Sequence, residues 1–394
     1  MANEPNYKII PAEYEDIAPY NDAVFKEKLA KMVKDPGFEH AIRYVMPDVD
    51  YAEFVDNLQK VETQSQFQHE VMLPFLAMLE KATTSGVSYD GMDNIVDGKN
   101  YTFITNHRDI VLDASFLNLS FDRAGKPLTQ IAIGNNLLIM EWITDLVKLN
   151  RSFIVKRDVK MQAAIEAARQ LSAYIHYTIT NLHESVWIAH RQGRAKDSND
   201  LTQEGLIKML SLSGDGGVMD NILAINLCPV SISYEYDPND YLKAREFLLR
   251  KRDPQFKKDK RDDLLSMETG LLKHKGRVMF RVGRCINEAL SKFASDNRQE
   301  IIREACRLID NEIHGGYEIY QCNYIAYDEL NGVSEFSDKY TPDDVAKFDA
   351  YLDGQLDKAN GEISDVTAEE RDYMRRMMLT MYANPLKNKL AAKA

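Results

Sequence analysis

Tyr101-Thr-Phe-Ile-Thr-Asn-His-Arg-Asp-Ile-Val-Leu-Asp113 decides how this chain is read. Tyr101 to Ile104 is a short apolar run with a β-branched and aromatic bias, which predicts a strand over 101–105. The run breaks at Asn106-His107-Arg108-Asp109 and resumes as a helix-like stretch, predicted over 110–119. A histidine therefore sits where a strand gives way to a helix. Its ordinary pKa of ~6.5 lets it take a proton near neutral pH, provided an acceptor fixes its other nitrogen. Asp109 and Asp113 both lie close enough downstream to be that acceptor. Asp109 has a second reading as the N-cap of the helix, where its carboxylate would accept backbone N–H bonds.

Working outward, the same alternation repeats. Strands are predicted at 128–133, 152–156, 186–189, 222–234 and 277–282, and helices at 136–148, 160–180, 202–212, 239–250 and 285–295. Strands alternating with helices predict an α/β domain with helices on the faces of a sheet. Ser85 to Lys99 is turn-rich and predicts a boundary. Before it, helical periodicity runs over 21–33, 37–45, 50–60 and 62–82, with Pro74 expected to kink the last. After about 297 the pattern is helical again. Thr341-Pro342 and Thr367 with Glu370 give two helix starts. The division expected is a helical region over 1–84, an α/β domain over 85–296 and a helical region over 297–394.

The bulk numbers exclude several classes. A chain of 394 residues that is 44% hydrophobic and 28% charged can bury a large core. Its net charge of −12 argues against general nucleic-acid binding. The four cysteines, at 228, 285, 306 and 322, suggest no disulfide framework and fit a reducing cytoplasm. Met1 to Glu15 reads as neither signal nor transit peptide, and no apolar run is long enough for a transmembrane helix. No Gly-x-Ser-x-Gly elbow supports a serine hydrolase. Ser213 to Gly217 reads as a flexible loop, and no histidine or cysteine spacing suggests a metal site. Against the acidic total, nine Lys and Arg lie between Leu242 and Arg261. They are either a solvated helix face or a patch for an anionic lipid or an acidic carrier protein.

Asn106-His107 followed by Asp113 resembles the first motif of the glycerol-phosphate and lysophosphatidate acyltransferases, which is Asn-His, four residues, then Asp. Five residues intervene here. Three later stretches resemble that family's other blocks, in the same order. Arg151 to Arg157 is similar to the second, an aromatic–apolar strand ending in basic residues, here Lys156 and Arg157. His190 to Lys196 is similar to the third, with Gln192 where the family has glutamate, then Gly193 and Arg194. Leu227 to Tyr236, with Pro229, resembles the fourth, closest to the glycerol-3-phosphate branch, and Leu271 to Arg281 is similar to a late strand of that branch.

The resemblance spans about residues 100–290. It implies a glycerolipid-acyltransferase-like fold, a mixed sheet flanked by helices, and an acyl transfer from acyl-CoA or acyl-carrier protein to a hydroxyl of glycerol-3-phosphate, without cofactor or metal. It implies His107 as base with Asp113 or Asp109, and substrate contacts from Arg108, Lys156, Arg157, Gln192, Gly193, Arg194 and Pro229. It also implies work at the membrane surface, on the cytoplasmic face. Gln192 keeps a hydrogen-bond acceptor but loses a charge. That departure leaves room for a lysophospholipid or another hydroxylated lipid as acceptor, or for a silent homologue that only binds carrier or membrane.

Overall fold

The computed structural model describes residues 10–157, 160–361 and 363–392. Its centre is a seven-stranded sheet. The strands are β1 (Val87–Asp90), β2 (Thr102–Thr105), β3 (Gln130–Gly134), β4 (Ser152–Val155), β5 (Val186–Ala189), β6 (Leu227–Tyr234) and β7 (Val278–Val282). Their order is β1-β7-β6-β2-β5-β3-β4. Every neighbouring pair is parallel except β6 with β7. The carboxyl ends of β2, β3, β4, β5 and β6 therefore share one edge of the sheet.

Successive side chains of a strand face opposite ways, and both faces here are buried. On one face Ile104, Val186, Ile188 and Leu227 pack under the helices Met161–Tyr177 and Arg298–Gly315, through Tyr174, Ile175, Ile302 and Ile309. On the other, Phe103, Trp187, Val230 and Ile232 pack against Phe116, Leu117 and Phe121 of the helix Leu112–Arg123, with Leu76 and Leu79 of the helix Leu73–Thr83 beyond. Burial on both sides explains why the parallel strands read as near-continuous apolar runs. The mixed sheet flanked by helices is the expected architecture.

The N-terminal helices Asp22–Met32, Pro36–Val45 and Tyr51–Leu58 share a core of their own, built on Phe25, Phe38 and Phe67 and reaching Leu149. The predicted kink at Pro74 takes another form. A π-helical turn, Phe67–Met72, lies just ahead of it, and such a widened turn accommodates the hydrogen bond that proline cannot make. At the other end, the helices Gln321–Asn331, Pro342–Gly361 and Ala368–Ala391 pack on Asp240–Arg252 through Leu248, Phe348, Leu352 and Met378. Thr367 and Glu370 form the expected reciprocal cap, at 3.2 and 3.0 Å.

Two strand assignments need correction. The stretch 222–234 is not one strand: Val218–Ala224 is helix, and β6 begins only at Leu227. Asn226 turns the chain between them at φ 48°, a left-handed conformation that asparagine tolerates. The second concerns β1, which lies inside the stretch read as turns. It pairs along the β7 edge with Ser88, Tyr89 and Asp90 exposed, so it carries no apolar signature.

Candidate active site at the carboxyl edge of the sheet

Asn106 continues β2 by its side chain. Its Nδ2 donates to the carbonyl of Ile232 at 2.9 Å, and its Oδ1 accepts from the Ile232 N–H at 2.8 Å. The amide thus replaces one rung of the β2–β6 ladder and frees the backbone to turn. Asn106 is fully buried. Asn106→Ala orphans both Ile232 groups and is expected to cost ~2–4 kcal/mol, read as a lowered urea midpoint with an unchanged m-value.

The turn delivers His107 beside the helix Leu112–Arg123. Its Nδ1 lies 2.9 Å from Asp113 Oδ2. Of the two aspartates that spacing left open, Asp113 is the one at the ring. The same Oδ2 accepts from the backbone N–H of Arg108 at 2.7 Å and of Asp109 at 3.0 Å, while Oδ1 accepts from the Tyr234 hydroxyl at 3.1 Å. The carboxylate is fully buried, and the four groups hydrogen-bonded to it are donors. Asp113 also sits in the first turn of its helix, where the positive end of the dipole favours an anion. With the Nδ1 proton held by this carboxylate, Nε2 keeps its lone pair. Trp187 stands over the ring, centroids 6.0 Å apart at 68°.

Tyr234 was not among the sequence candidates. Burial, and then the Asp113 charge, push its phenol well above the usual tyrosine value, so it remains a donor. Tyr234→Phe leaves Asp113 Oδ1 with one donor fewer. The expected loss is ~1 kcal/mol of stability and roughly 5–10-fold in any His107-dependent rate, checked by paired denaturation and steady-state assays.

Asp109 accepts backbone N–H bonds at the helix start, as its second reading expected, but from two residues ahead of the N-cap, which is Val111. Its Oδ1 caps the helix start through Val111 N at 2.9 Å and Leu112 N at 2.8 Å. Its Oδ2 is buried without a hydrogen-bond partner. Burial, with the Asp113 charge next, raises its carboxyl above the ordinary aspartate value.

His107 opens onto one large cavity of about 2160 Å³. That is about twice the ~1,000 Å³ upper end for small-ligand pockets, and apolar side chains dominate the lining. The N-terminal helices contribute Phe38, Phe54 and Phe75, the sheet edge Ile133, the following segments Leu138 and Trp142, and the helix Lys260–Leu272 Leu264 and Met267.

The remaining sequence candidates separate into two groups. Lys156, Arg157, Gln192, Gly193 and Arg194 all line the cavity. Lys156 contacts Asp16 and donates to Gln170 at 2.9 Å. Arg157 follows β4 and fits where Gly134 has no side chain, since a Cβ there would lie 2.8 Å from Arg157 Nε. Counting three strand spacings from β2 puts that end of the sheet ~14 Å from His107. Gly193 adopts φ 70°, which suits glycine. Gln192 is exposed, and its N–H donates to Gln203 Oε1 at 2.8 Å.

Arg108 and Pro229 do not join them. The Arg108 guanidinium is buried, in contact with Ser198 and 3.7 Å from Asp200. It ties the 190–200 loop to the His107 turn instead of facing a ligand. Burial alone would raise Asp200, but His190 and Arg108 beside it hold the carboxyl below the ordinary value. Pro229 lies within β6, opposite Ile104. Its carbonyl takes the Gly283 N–H at 2.8 Å. Its absent donor falls where the β7 ladder ends, and the Cys228 thiol reaches the Gly283 carbonyl instead at 3.5 Å.

The basic stretch 242–261 is mostly bound internally. Lys243 pairs with Asp237, Arg245 with Asp262 at 3.3 Å and Arg252 with Glu370 at 2.6 Å, while Lys251 lies 4.1 Å from the Tyr373 ring centre. Of its members, Arg250 and Lys258 line the cavity.

No family profile matches the chain, and no curated protein matches it. Among solved structures it is similar to the 1-acyl-sn-glycerophosphate (LPA) acyltransferase PlsC from Thermotoga maritima. The match covers 72% of this chain and 92% of that one, at 12% identity and a TM-score of 0.34. A likeness of that degree decides neither fold nor activity. Among the described residues, no helix is long and apolar enough to cross a membrane, and no group of three or more His, Cys, Asp or Glu is placed to hold a metal.

Proposed function

We propose that this protein is an acyltransferase that moves a fatty acyl group from a thioester, acyl-CoA or acyl-carrier protein, to a hydroxyl of glycerol-3-phosphate. One observation carries the reading: a histidine oriented by a buried carboxylate stands at the wall of a large apolar cavity whose rim bears cations. Nε2 of His107 takes the acceptor's hydroxyl proton as its oxygen attacks the thioester carbonyl. The C–S bond then breaks, and the thiolate leaves with the proton from the imidazolium. Asp113 fixes the ring and offsets the charge it gains. No covalent acyl-enzyme is needed, because both substrates are held together.

The apolar lining suits an acyl chain, and the Arg194 guanidinium, which lines the cavity, suits the phosphate of an acceptor, since guanidinium matches phosphate oxygens in a planar fork. Tyr44, Met78, Met140 and Leu264 are exposed apolar residues that also line the cavity. They favour work against a membrane surface. The ordered motifs from Asn106 to Tyr236 favour the glycerol-3-phosphate branch.

The test is acceptor-dependent thiol release from palmitoyl-CoA and from acyl-carrier protein. Glycerol-3-phosphate should be the acceptor that drives it. Release driven only by lysophosphatidate or another lysolipid would keep acyl transfer and replace the acceptor. A folded sample that releases no thiol with any acceptor would end the reading.

A further inference from the structure

On the β6 side of His107, the loop after β5 meets the helix Asp240–Arg252 and the segment leading into Lys260–Leu272. Glu246 is buried there, 2% exposed, and three cations converge on it. Lys196 contacts it directly, Arg250 lies at 2.9 Å and Lys258 at 3.4 Å. Lys258 also lies 3.7 Å from Asp263. Arg194 completes the group, with Nη1 buried and without a hydrogen-bond partner. These residues line the cavity. Deeper in, Lys243 pairs with Asp237 and adds no surplus charge.

Among the described residues of this cluster, four cations thus meet two carboxylates, Glu246 and Asp263, and Asp197 also lines the cavity. Buried charge is costly unless it is paired, and one carboxylate cannot fully satisfy three cations. Burial, and then the neighbouring Lys258, Arg250, Arg194 and Lys243, pull the Lys196 ammonium down to about 7. The four cations line the cavity, so their surplus charge borders it. A bound dianion would neutralise it, and a phosphate monoester carries about −1.5 to −2 charges at neutral pH.

We propose that Arg194, Lys196, Arg250 and Lys258 form a phosphoryl-binding site, separate from the Lys156 and Arg157 end of the sheet. Its ligand is the phosphate of a CoA-type donor or that of the acceptor. Which of the two it is rests on the acyltransferase reading; the site itself does not.

Calorimetric titration of the full chain with inorganic pyrophosphate, CoA and glycerol-3-phosphate tests this, comparing wild type with the double variant Arg250→Ala, Lys258→Ala. Pyrophosphate should bind wild type and lose at least tenfold in affinity in the double variant. Whichever organic ligand loses affinity with it names the source. Glu246→Gln, which removes the competing carboxylate at constant shape, should strengthen the same binding by severalfold. A merely structural cluster predicts no such gain. Absence of pyrophosphate binding to wild type, or affinities within twofold across all variants, would overturn the site. Thiol release with unchanged titrations would remove the site and keep acyl transfer. Pyrophosphate binding lost in the double variant, with no thiol release by wild type, would do the reverse.

Discussion

Asp113→Ala should abolish most His107-dependent turnover, by roughly 10³–10⁴-fold in kcat, because the ring loses the acceptor that sets its tautomer and stabilises its charged form. The same change should weaken the fold. Four donors point at this carboxylate: His107 Nδ1, the Arg108 and Asp109 N–H groups and the Tyr234 hydroxyl. Leaving buried donors unsatisfied costs ~1–3 kcal/mol each. Partial relaxation still leaves an expected loss of ~3 kcal/mol or more, a large share of the ~5–15 kcal/mol typical of a domain. Asp113→Asn separates the two effects. It keeps the volume and one oxygen, so most stability should return while the rate stays low. Chemical denaturation beside single-turnover assays reads both. Near-wild-type turnover in Asp113→Ala would mean that another group orients the histidine.

Gly270→Ala should destabilise the protein, although the glycine lies inside the helix Lys260–Leu272. Helix propensity alone predicts a gain of ~1 kcal/mol for that change. The local geometry reverses the sign. A Cβ at Gly270 would lie 2.0 Å from Asp109 Oδ2 and 2.9 Å from its Cγ. Either the helix moves away from the His107 turn or Asp109 swings out and gives up its bonds to Val111 and Leu112. Overpacking costs ~1–3 kcal/mol, and a lost cap adds ~1 kcal/mol. The net expectation is a loss of ~2–3 kcal/mol. Because Asp109 and His107 share one turn, activity should fall as well. Gly354→Ala is the control: it is also helical, with nothing within 4 Å of its built Cβ, and should leave stability unchanged or slightly raised. A Gly270→Ala protein as stable as wild type would show that Asp109 is not held where the structure puts it.

The sequence carried β2 to β5 because parallel strands buried on both faces keep their apolar runs, as in Phe103-Ile104 and Val186-Trp187-Ile188. It could not carry β1, whose outer residues meet water. Nor could it separate the helix Val218–Ala224 from β6, since a short buried apolar run such as Ile222 to Ile225 fits either period. At the site, the His107 and Asp113 pairing depended on local spacing and was within reach. Tyr234 was not. It reaches Asp113 only because β6 lies beside β2, a strand order set by long-range packing. Arg108 and Arg194 show the same limit. Arg108 follows the Asn-His pair and Arg194 lies within the third block, yet one is buried against Asp200 and the other lines the cavity. Nothing in the sequence singles out Glu246 within a basic stretch, although Lys196, Arg250 and Lys258 converge on it.

The most direct test of the central claim is thiol release from palmitoyl-CoA and acyl-carrier protein, with and without glycerol-3-phosphate, for wild type and His107→Ala. Loss of a general base predicts a fall of roughly 10²–10⁴-fold in acceptor-dependent release, with the far-UV spectrum and denaturation midpoint preserved. Equal acceptor-dependent release by both proteins would contradict His107 as the base and, with it, the mechanism drawn from this site.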